Sequence, residues 1–212
     1  MTVGAESATR VVAVRHGETD WNAAMRIQGH TDIGLNARGR EQAARLALAL
    51  EHEGLQAIYS SDLLRAHATA QAVASRVGLA VQTHTGLRER HFGAFEGLSF
   101  DEIQQRHPDD AARWRRREPG FAPGGGEALV DFHRRCVSAC AELVRRHPGG
   151  SVLLVAHGGV LDCLYRAATR AALDAPRSWQ LGNAAVNRLL HSDDGGFTLV
   201  GWNDTHHLDG AA

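Results

Sequence analysis

The sequence predicts one domain, 1–212, of the α/β class: a three-layer α/β/α sandwich with a mostly parallel central sheet. Short apolar runs typical of buried strands alternate along the chain with longer stretches typical of helices. Two of the apolar runs, at 11–14 and 152–155, are followed closely by a histidine and a glycine. The 212 residues, of which 43% are hydrophobic, suffice for one full core, and no linker divides them. We expect loose tails at 1–9 and 207–212.

The first half of the chain begins with the buried strand that ends before Arg15. Asn36 is a suitable N-cap for an alanine-rich helix that continues to about Glu53, where a glycine follows. A second buried strand is predicted within 55–62, and Asp62 at its end is placed to cap the next helix.

That next helix continues to about residue 78, and its first turn contains Arg65. The N-terminal turn of a helix carries free N–H groups and partial positive charge, so an arginine there would reinforce an anion site. An arginine exposed to solvent is the alternative interpretation.

The second half repeats the alternation of strands and helices. A short strand at 80–84 precedes a glycine-rich, aromatic segment. Two short helices broken at Pro108 lead to a loop rich in glycine and proline, 118–127, which we interpret as a mobile lid or linker. The remaining predicted elements are a helix at 127–146, a strand at 152–155, a helix at 159–168, and strands at 184–192 and 197–203 joined by a hairpin at 193–196.

The composition argues against several classes of protein. A formal net charge of −1 gives no overall attraction to nucleic acid or to a membrane surface. The N-terminal apolar run is too short for a signal peptide, and no stretch is long enough to span a membrane, so we expect a soluble, cytoplasmic protein. The three cysteines, Cys136, Cys140 and Cys163, do not form a disulfide framework, and we expect them to be buried thiols.

All 23 basic residues are arginine, and lysine is absent. Chemistry that requires lysine, such as a Schiff base or a P-loop, is therefore excluded. Arginine suits bidentate binding of phosphate or carboxylate. Codon bias in a GC-rich genome explains the total, so only the positions of individual arginines are informative.

The two strand–His–Gly units carry the first prediction about function. A single histidine in such a turn is usually a polar surface residue. Ligands of open α/β sheets bind at the carboxyl ends of the strands, so neighbouring parallel strands would bring His16 and His157 together there. The presence of Arg15 beside His16 favours a site over two unrelated turns.

Glu89 lies between Arg88 and Arg90, which suits either a surface ion pair or a general acid. Two histidines, several arginines and one carboxylate together suit phosphoryl transfer. In that chemistry a histidine attacks, arginines stabilise the anion, and an acid protonates the leaving oxygen. The 13 histidines include no H-E-x-x-H arrangement, so we expect no metal.

Several motifs resemble those of the histidine phosphatase superfamily, also called the phosphoglycerate mutase-like family. They occur in the family's order over nearly the whole chain, and they are RHGETDWN at 15–22, SSDLLRAHATA at 60–70, LRERHFGAFEG at 87–97, PGGGE at 123–127 and AHGG at 156–159. The resemblance implies the α/β sandwich of that family.

The resemblance also implies a role for each matching residue. His16 is the nucleophile that becomes phosphohistidine. Glu89 is the proton donor to the leaving group and then the base for the incoming water. The residues implied to surround or contact the phosphoryl group are Arg15, Asn22, Arg65 and His157. The implied pocket positions are Gln28, Gly29 and Gly158, to which we add Arg90 as a substrate-binding candidate.

Within the family the chain resembles the bacterial phosphatase branch more than the cofactor-dependent mutases. The mutases carry a long insertion after the segment that matches 114–116, where this chain has a short loop. Phe100 occupies the position of a substrate-binding lysine of the mutases. The segments FAPGGGE and WNDTHHLD also look more like the broad-specificity phosphatases. We therefore expect a phosphomonoester hydrolase.

One match supports a mutase instead. Trp114, Arg115 and Arg116 match a WRR motif whose arginines bind the substrate carboxylate in the mutases. An arginine run on a solvated helix explains these residues as well. If the match holds, Arg115 and Arg116 bind substrate, and the protein is either a phosphatase of phosphoglycerate-like acids or a cofactor-dependent phosphoglycerate mutase primed by 2,3-bisphosphoglycerate.

A third alternative is an inactive binding or regulatory member of the fold, which the presence of the nucleophile and the acid disfavours. We expect no cofactor for a phosphatase. The expected partner is a small phosphorylated metabolite, without nucleic acid or membrane, and an exposed edge strand favours a homodimer.

Overall fold

The central sheet of the computed structural model contains six strands, and the structure describes residues 8–192 and 196–210. The strands are β1 (Thr9–Arg15), β2 (Ala57–Ser60), β3 (Val81–Thr83), β4 (Ser151–Ala156), β5 (Val186–Ser192) and β6 (Gly196–Asp204). Their order is β3-β2-β4-β1-β5-β6. The first four strands pair in parallel, and β5 and β6 add an antiparallel edge. The prediction of a mostly parallel sheet is confirmed.

Seven α-helices surround or extend from this sheet in the described residues. They are α1 (Asp20–Ala23), α2 (Ala37–Ala49), α3 (Leu64–Val77), α4 (Phe100–Arg106), α5 (Pro108–Arg115), α6 (Leu129–Val144) and α7 (Gly158–Thr169). Asn36 caps α2 as predicted, because its side chain accepts a hydrogen bond from the Gly39 N–H. Pro108 begins α5 and separates it from α4, also as predicted.

The core lies in two layers, one on each face of the sheet. The apolar side chains of α2 and α3, such as Leu46 and Val73, pack with Val12 and Val155 on one face. Residues of α6 and α7 pack on the other face. Because β1 and β4 are covered on both faces, their sequences are continuous apolar runs rather than alternating ones. This is the three-layer arrangement that the sequence predicts.

A third, smaller cluster lies outside the sheet, beneath α4 and α5. It contains Phe95, Ile103, Ala111 and Phe121, all at most 2% exposed. The loop 118–127 is anchored there by Phe121, so it is tied to the fold rather than the mobile lid or linker that we expected. The sequence misled because glycine and proline mark turns without showing whether a turn is packed.

Asp62 does not cap α3. The N-cap of that helix is Leu63, and the Asp62 carboxylate instead pairs with Arg88 at 2.5 Å. The first N–H of the helix, at Leu64, is bonded by the side chain of Asp32 at 2.8 Å. A cap from a distant loop cannot be read from the local sequence.

The expected tails are shorter than predicted where the structure describes them. Thr9 is already part of β1, and 206–208 form a short 3-10 helix. The rest of the predicted N-terminal tail up to residue 7, and residues 211–212, lie outside the described residues. The predicted hairpin between β5 and β6 is confirmed by their antiparallel pairing, although its turn at 193–195 also lies outside.

The three cysteines are free and buried in the described structure, as expected. Burial raises the pKa of the Cys140 and Cys163 thiols well above the ordinary value. Among the described residues, no helix is both long and apolar enough to cross a membrane.

Candidate active site

The two strand–His–Gly units meet at the centre of the sheet. β1 and β4 are parallel neighbours, with Arg15 opposite Ala156, and the His16 N–H donates to the Ala156 carbonyl at 3.0 Å. The rings of His16 and His157 lie with their centroids 5.2 Å apart. The prediction that both histidines share one end of the sheet is confirmed.

His16 is held as a neutral ring with one free nitrogen. It is 3% exposed, and its Nδ1 lies 2.7 Å from the carbonyl oxygen of Gly17. A carbonyl only accepts, so Nδ1 carries the hydrogen and Nε2 keeps its lone pair. Burial, together with the charges of Arg15 and Arg65, lowers the pKa of His16 well below the ordinary 6.5. Near neutral pH this side chain is therefore an unprotonated nucleophile.

Around that nitrogen lie buried polar atoms that have no hydrogen-bond partner within the described part of the chain. They are Nε of Arg15, Nε of Arg65 and both ring nitrogens of His157. Buried donors are nearly always satisfied in proteins, so a group of orphans around one point indicates a ligand. Two guanidiniums in the group specify an anion.

Arg65 is fixed in position by the backbone of the loop before it. It lies in the first turn of α3, as predicted, and is fully buried. Its guanidinium donates to the carbonyls of Thr31 at 3.0 Å and Gly29 at 2.8 Å. These two contacts leave Nε free to face an anion, so Arg65 is preorganised rather than mobile.

The loop after β1 is held against the start of α2 by close backbone contact. A Cβ on Gly17 would lie 2.5 Å from the Gly39 carbonyl oxygen, which no side chain allows. The Gly17 N–H also donates to Thr69 Oγ1 on α3 at 3.0 Å. The glycine of the first unit is therefore required for packing, and it positions the histidine beside it.

Glu89 faces the same cleft from the opposite wall. Its carboxylate accepts hydrogen bonds from the N–H groups of Arg90 at 2.8 Å and Gly159 at 3.0 Å. A Cβ on Gly159 would lie 2.1 Å from a Glu89 oxygen, so this glycine makes room for the acid. Glu89 is thus the general-acid candidate rather than a member of the surface ion pair that its flanking arginines suggested.

Those flanking arginines have structural roles. Arg88 pairs with Asp62, and Arg90 donates to the carbonyls of Glu127 at 2.9 Å and Phe121 at 2.7 Å. Arg90 lines the cleft, but its guanidinium is engaged with the backbone, and burial lowers its pKa to about 10. Arg90 therefore holds the loop 118–127 through its backbone, and substrate binding by Arg90 stays a prediction.

One cleft, with a volume of about 1020 Å³, is lined by Arg15, His16, Arg65 and Glu89, and His157 is fully buried beside His16. The predicted pocket positions that line it are Asn22, Gln28, Gly29 and Gly158. The Asn22 side chain is oriented by Thr19 and by Asn183, whose amide also donates to the His16 carbonyl at 3.0 Å. All four positions therefore lie where the sequence predicts them.

The two arginines of the WRR motif separate. Arg115 lines the cleft, where its guanidinium lies over the Phe100 ring and donates to Gln104. Arg116 points to solvent and pairs with Glu118 at 2.7 Å. The expectation that both bind substrate is wrong for Arg116, because successive residues of a helix lie about 100° apart around its axis.

Sequence reasoning missed several residues of the cleft. They are Arg26, Arg117, Asp162, Arg177 and Trp179. Asp162 had a usable signal, because it is an acid within the mostly apolar stretch GGVLDCL, one helical turn after the second His–Gly unit. The others lie in loops whose direction the local sequence does not determine.

Within residues 8–192 and 196–210, no three histidine, cysteine or acidic side chains are grouped to hold a metal ion. The positive charge of the site comes instead from arginine. Such an arrangement can bind a tetrahedral anion, attack it with His16 and protonate a leaving oxygen with Glu89.

Comparison with known proteins agrees with this geometry. Residues 11–205 match the family model of the histidine phosphatase superfamily (branch 1). Phosphoglycerate mutase-like protein 4 of Arabidopsis thaliana is 40% identical over 94% of this chain and 86% of its own length. Metal-independent phosphoserine phosphatase of the same plant is 37% identical over 94% and 83%. A mycobacterial glucosyl-3-phosphoglycerate phosphatase, solved with VO3, superposes with a TM-score of 0.83 at 36% identity over 92% of this chain and 99% of that one.

Proposed function

The chain belongs to branch 1 of the histidine phosphatase superfamily, and we propose that it is a phosphomonoesterase that forms a phosphohistidine on His16. The observation that carries this proposal is the His16 ring itself. It is neutral, its Nδ1 is bonded to Gly17, and it lies beside Arg15, Arg65 and His157, whose buried Nε and ring nitrogens have no partner in the described structure. A nucleophile and an anion site thus occupy one point.

In the first step, His16 Nε2 attacks phosphorus and the bond between phosphorus and the ester oxygen breaks. Glu89, as the carboxylic acid, gives its proton to the departing oxygen and the alcohol leaves. The two arginines neutralise the charge on the nonbridging oxygens, which is the main requirement of a loose phosphoryl-transfer transition state. His157 donates one hydrogen bond to the same group.

In the second step, water replaces the alcohol. The Glu89 carboxylate takes a proton from the water as it attacks phosphorus, the bond to Nε2 breaks, and inorganic phosphate is released. His16 returns to its neutral form. This sequence uses only residues of the chain, and the relative called metal-independent supports a mechanism without a metal. We expect EDTA to leave the rate unchanged; inhibition that added metal reverses would contradict this mechanism.

A mutase is the second candidate, and the observation that favours it is the position of Arg115 in the cleft. A mutase must hold the carboxylate of a phosphoglycerate and return the phosphoryl group to the same molecule. The second arginine of the WRR motif is engaged with Glu118 outside the cleft, so the carboxylate site of the mutases is incomplete. For this reason we favour hydrolysis.

The deciding experiment is one incubation with 3-phosphoglycerate, with and without 2,3-bisphosphoglycerate, following free phosphate and 2-phosphoglycerate. Release of phosphate alone supports the phosphatase. Interconversion without phosphate release, dependent on the bisphosphate, would overturn it in favour of the mutase. Failure of the protein to hydrolyse p-nitrophenyl phosphate as well would favour the inactive member of the fold.

We propose a small phosphorylated metabolite as the substrate and the cytoplasm as the place of action. A formal net charge of −1 and three free, buried cysteines support these proposals. Homodimer formation through the edge strand β6 remains a prediction, supported by Val200, which is 61% exposed there. Light scattering tests it: a molar mass of one chain would contradict it.

A further inference from the structure

Beyond the catalytic centre, the cleft contains a second group of polar atoms without partners. Asp162 on α7 lines the cleft, and its side chain is 7% exposed. Its Oδ2 accepts from Arg117 at 2.7 Å and from Arg166 at 3.0 Å. Its Oδ1 is buried and accepts no hydrogen bond from any described residue. An ionised oxygen left in this state costs free energy until something donates to it.

The same cleft is lined by a residue with an unpartnered donor. Trp179 lines the same cleft, and its indole Nε1 is buried without an acceptor in the part of the chain that the structure describes. The Arg166 guanidinium connects the two residues, because it bonds Asp162 and lies over the Trp179 ring at 4.8 Å. The Tyr165 ring stacks on the Trp179 ring, with the two ring centroids 3.9 Å apart.

The position of this pair relative to the chemistry follows from α7. Gly159 donates its N–H to Glu89, and Asp162 follows three residues later on the same helix face. Three residues rise about 4.5 Å along a helix axis. A leaving group protonated by Glu89 therefore has Asp162 within a few bonds of its ester oxygen.

The charges around Asp162 decide what it can bind. Arg117 and Arg166 contact it directly, and Arg15 and Arg177 line the cleft nearby. These positive charges would repel an ammonium group, whereas they would not repel a neutral hydroxyl. A hydroxyl also matches both orphaned atoms, since it donates to Oδ1 and accepts from the indole N–H.

We propose that Asp162 and Trp179 form a leaving-group subsite that selects phosphomonoesters of hydroxylated alcohols, such as polyol, sugar or hydroxy-acid phosphates. The hydroxyl next to the esterified carbon donates to Asp162, and a hydroxyl or ring oxygen accepts from Trp179. This inference rests on the proposed function, because the subsite recognises the alcohol that His16 displaces. It makes Asp162 a specificity residue, and no step of the chemistry passes through it.

The test compares glycerol 3-phosphate with n-propyl phosphate, which has the same carbon chain without the hydroxyls. We expect kcat/KM for glycerol 3-phosphate to be higher by about 10- to 100-fold, the effect of a hydrogen bond to a charged group. In Asp162→Asn an NH2 donor replaces the acceptor Oδ1. We expect the ratio of the two kcat/KM values, glycerol 3-phosphate over n-propyl phosphate, to fall close to the ratio of the uncatalysed hydrolysis rates of the two esters. Any loss common to both substrates cancels in the ratio.

Trp179→Phe keeps the stacked ring and removes only the N–H, so it tests the subsite even where Asp162→Asn folds poorly. We expect it to lower the ratio by a smaller factor. The matched controls are Asp131→Asn, an exposed acid of α6, and Trp202→Phe, whose N–H already donates to Gln180. We expect the wild-type ratio in both.

The outcomes separate the two proposals. If the wild-type protein does not hydrolyse p-nitrophenyl phosphate, the proposed phosphatase function fails. If it does but the ratio is near that of the uncatalysed esters, or survives in both variants, the subsite is overturned. Calorimetric titration of both esters into His16→Ala, with and without Asp162→Asn, makes the same comparison between the two esters. It measures dissociation constants, without turnover.

Discussion

Arginine performs opposite roles inside the cleft and on the protein surface outside it. At the inner end, Arg15 and Arg65 are held by backbone carbonyls, and each keeps a buried Nε that has no partner in the described structure. On the surface outside the cleft, Arg113 on α5 and Arg116 just after it both pair with Glu118 in solvent. The residue type is the same, but only the inner arginines have donors left for a ligand.

The difference shows how a guanidinium becomes a binding group. Exposed ion pairs such as those of Glu118 contribute little to stability, because water screens them and competes for the donors. The inner arginines lie among buried groups, where the low local dielectric strengthens each hydrogen bond to an anion. We therefore expect larger losses of activity from changes at the inner end of the cleft than from changes at the exposed arginines. Failure of any of the following predictions would weaken this comparison.

The largest effect is expected from His16→Ala. His16 carries the nitrogen that we propose attacks phosphorus, so we expect phosphate release to fall by about 10⁴-fold or more. His52→Ala, which changes an exposed histidine, is the control. Formation of labelled phosphoenzyme from a radioactive phosphomonoester checks the result, and label retained in His16→Ala would remove His16 from its role.

Glu89→Gln is expected to have an effect that depends on the leaving group. General-acid catalysis contributes about 10²–10⁴-fold where the departing oxygen needs a proton. We therefore expect a loss of that size for alkyl phosphates and a much smaller loss for p-nitrophenyl phosphate, whose phenolate leaves unaided. Equal losses for both substrates would show that Glu89 is not the acid.

Arg65→Ala and Arg116→Ala make the comparison directly. Removal of one preorganised donor at a developing anion costs about 2.7–4 kcal/mol, so we expect kcat/KM to fall by about 10²–10³-fold in Arg65→Ala. Arg116→Ala removes an exposed ion pair and should change kcat/KM by less than about twofold. Steady-state kinetics with one substrate measures both values. Similar losses of kcat/KM in the two variants would contradict the difference between buried and exposed arginines.

The buried histidines of the inner end should contribute to the pH dependence of stability. Burial lowers the pKa of His16 and His157 well below 6.5, so below that pH the unfolded chain takes up protons that the folded protein does not. The free energy of unfolding should therefore decrease as pH falls below about 6.5, by at most about 1.4 kcal/mol per pH unit for each histidine. Urea denaturation between pH 7.5 and 5 measures this. His157→Gln should reduce the slope, and an unchanged slope would show that His157 does not contribute.

Much of this site could be predicted from sequence because its residues follow local signals. The apolar runs before His16 and His157 predict two buried strands, and two strands buried on both faces belong side by side at the centre of a parallel sheet. Arg65 was predictable because a helix begins just before it. In each case a pattern of a few residues determines where the side chain lies.

The remainder could not be predicted because it depends on which distant partner is available. Arg88 and Arg90 look equivalent around Glu89, but one pairs with Asp62 and the other with the carbonyls of Phe121 and Glu127. The burial of Asp162 depends on two loops, the one that contains Arg117 and the one that follows α7. No local pattern contains that information, since the contacts form only when the layers pack.

The position of β1 also has a consequence for the time at which the enzyme becomes active. β1 is the first strand made, but both of its neighbours, β4 and β5, come from the last third of the chain. During synthesis β1, which ends at the first His–Gly unit, therefore stays unpaired until β4 and β5 have been made. Pairing partners so far apart in sequence also slow refolding, because the long loop must close first. Enzyme activity should consequently appear with the closing of the sheet, and truncated chains that lack the last third should contain the nucleophile without being able to use it.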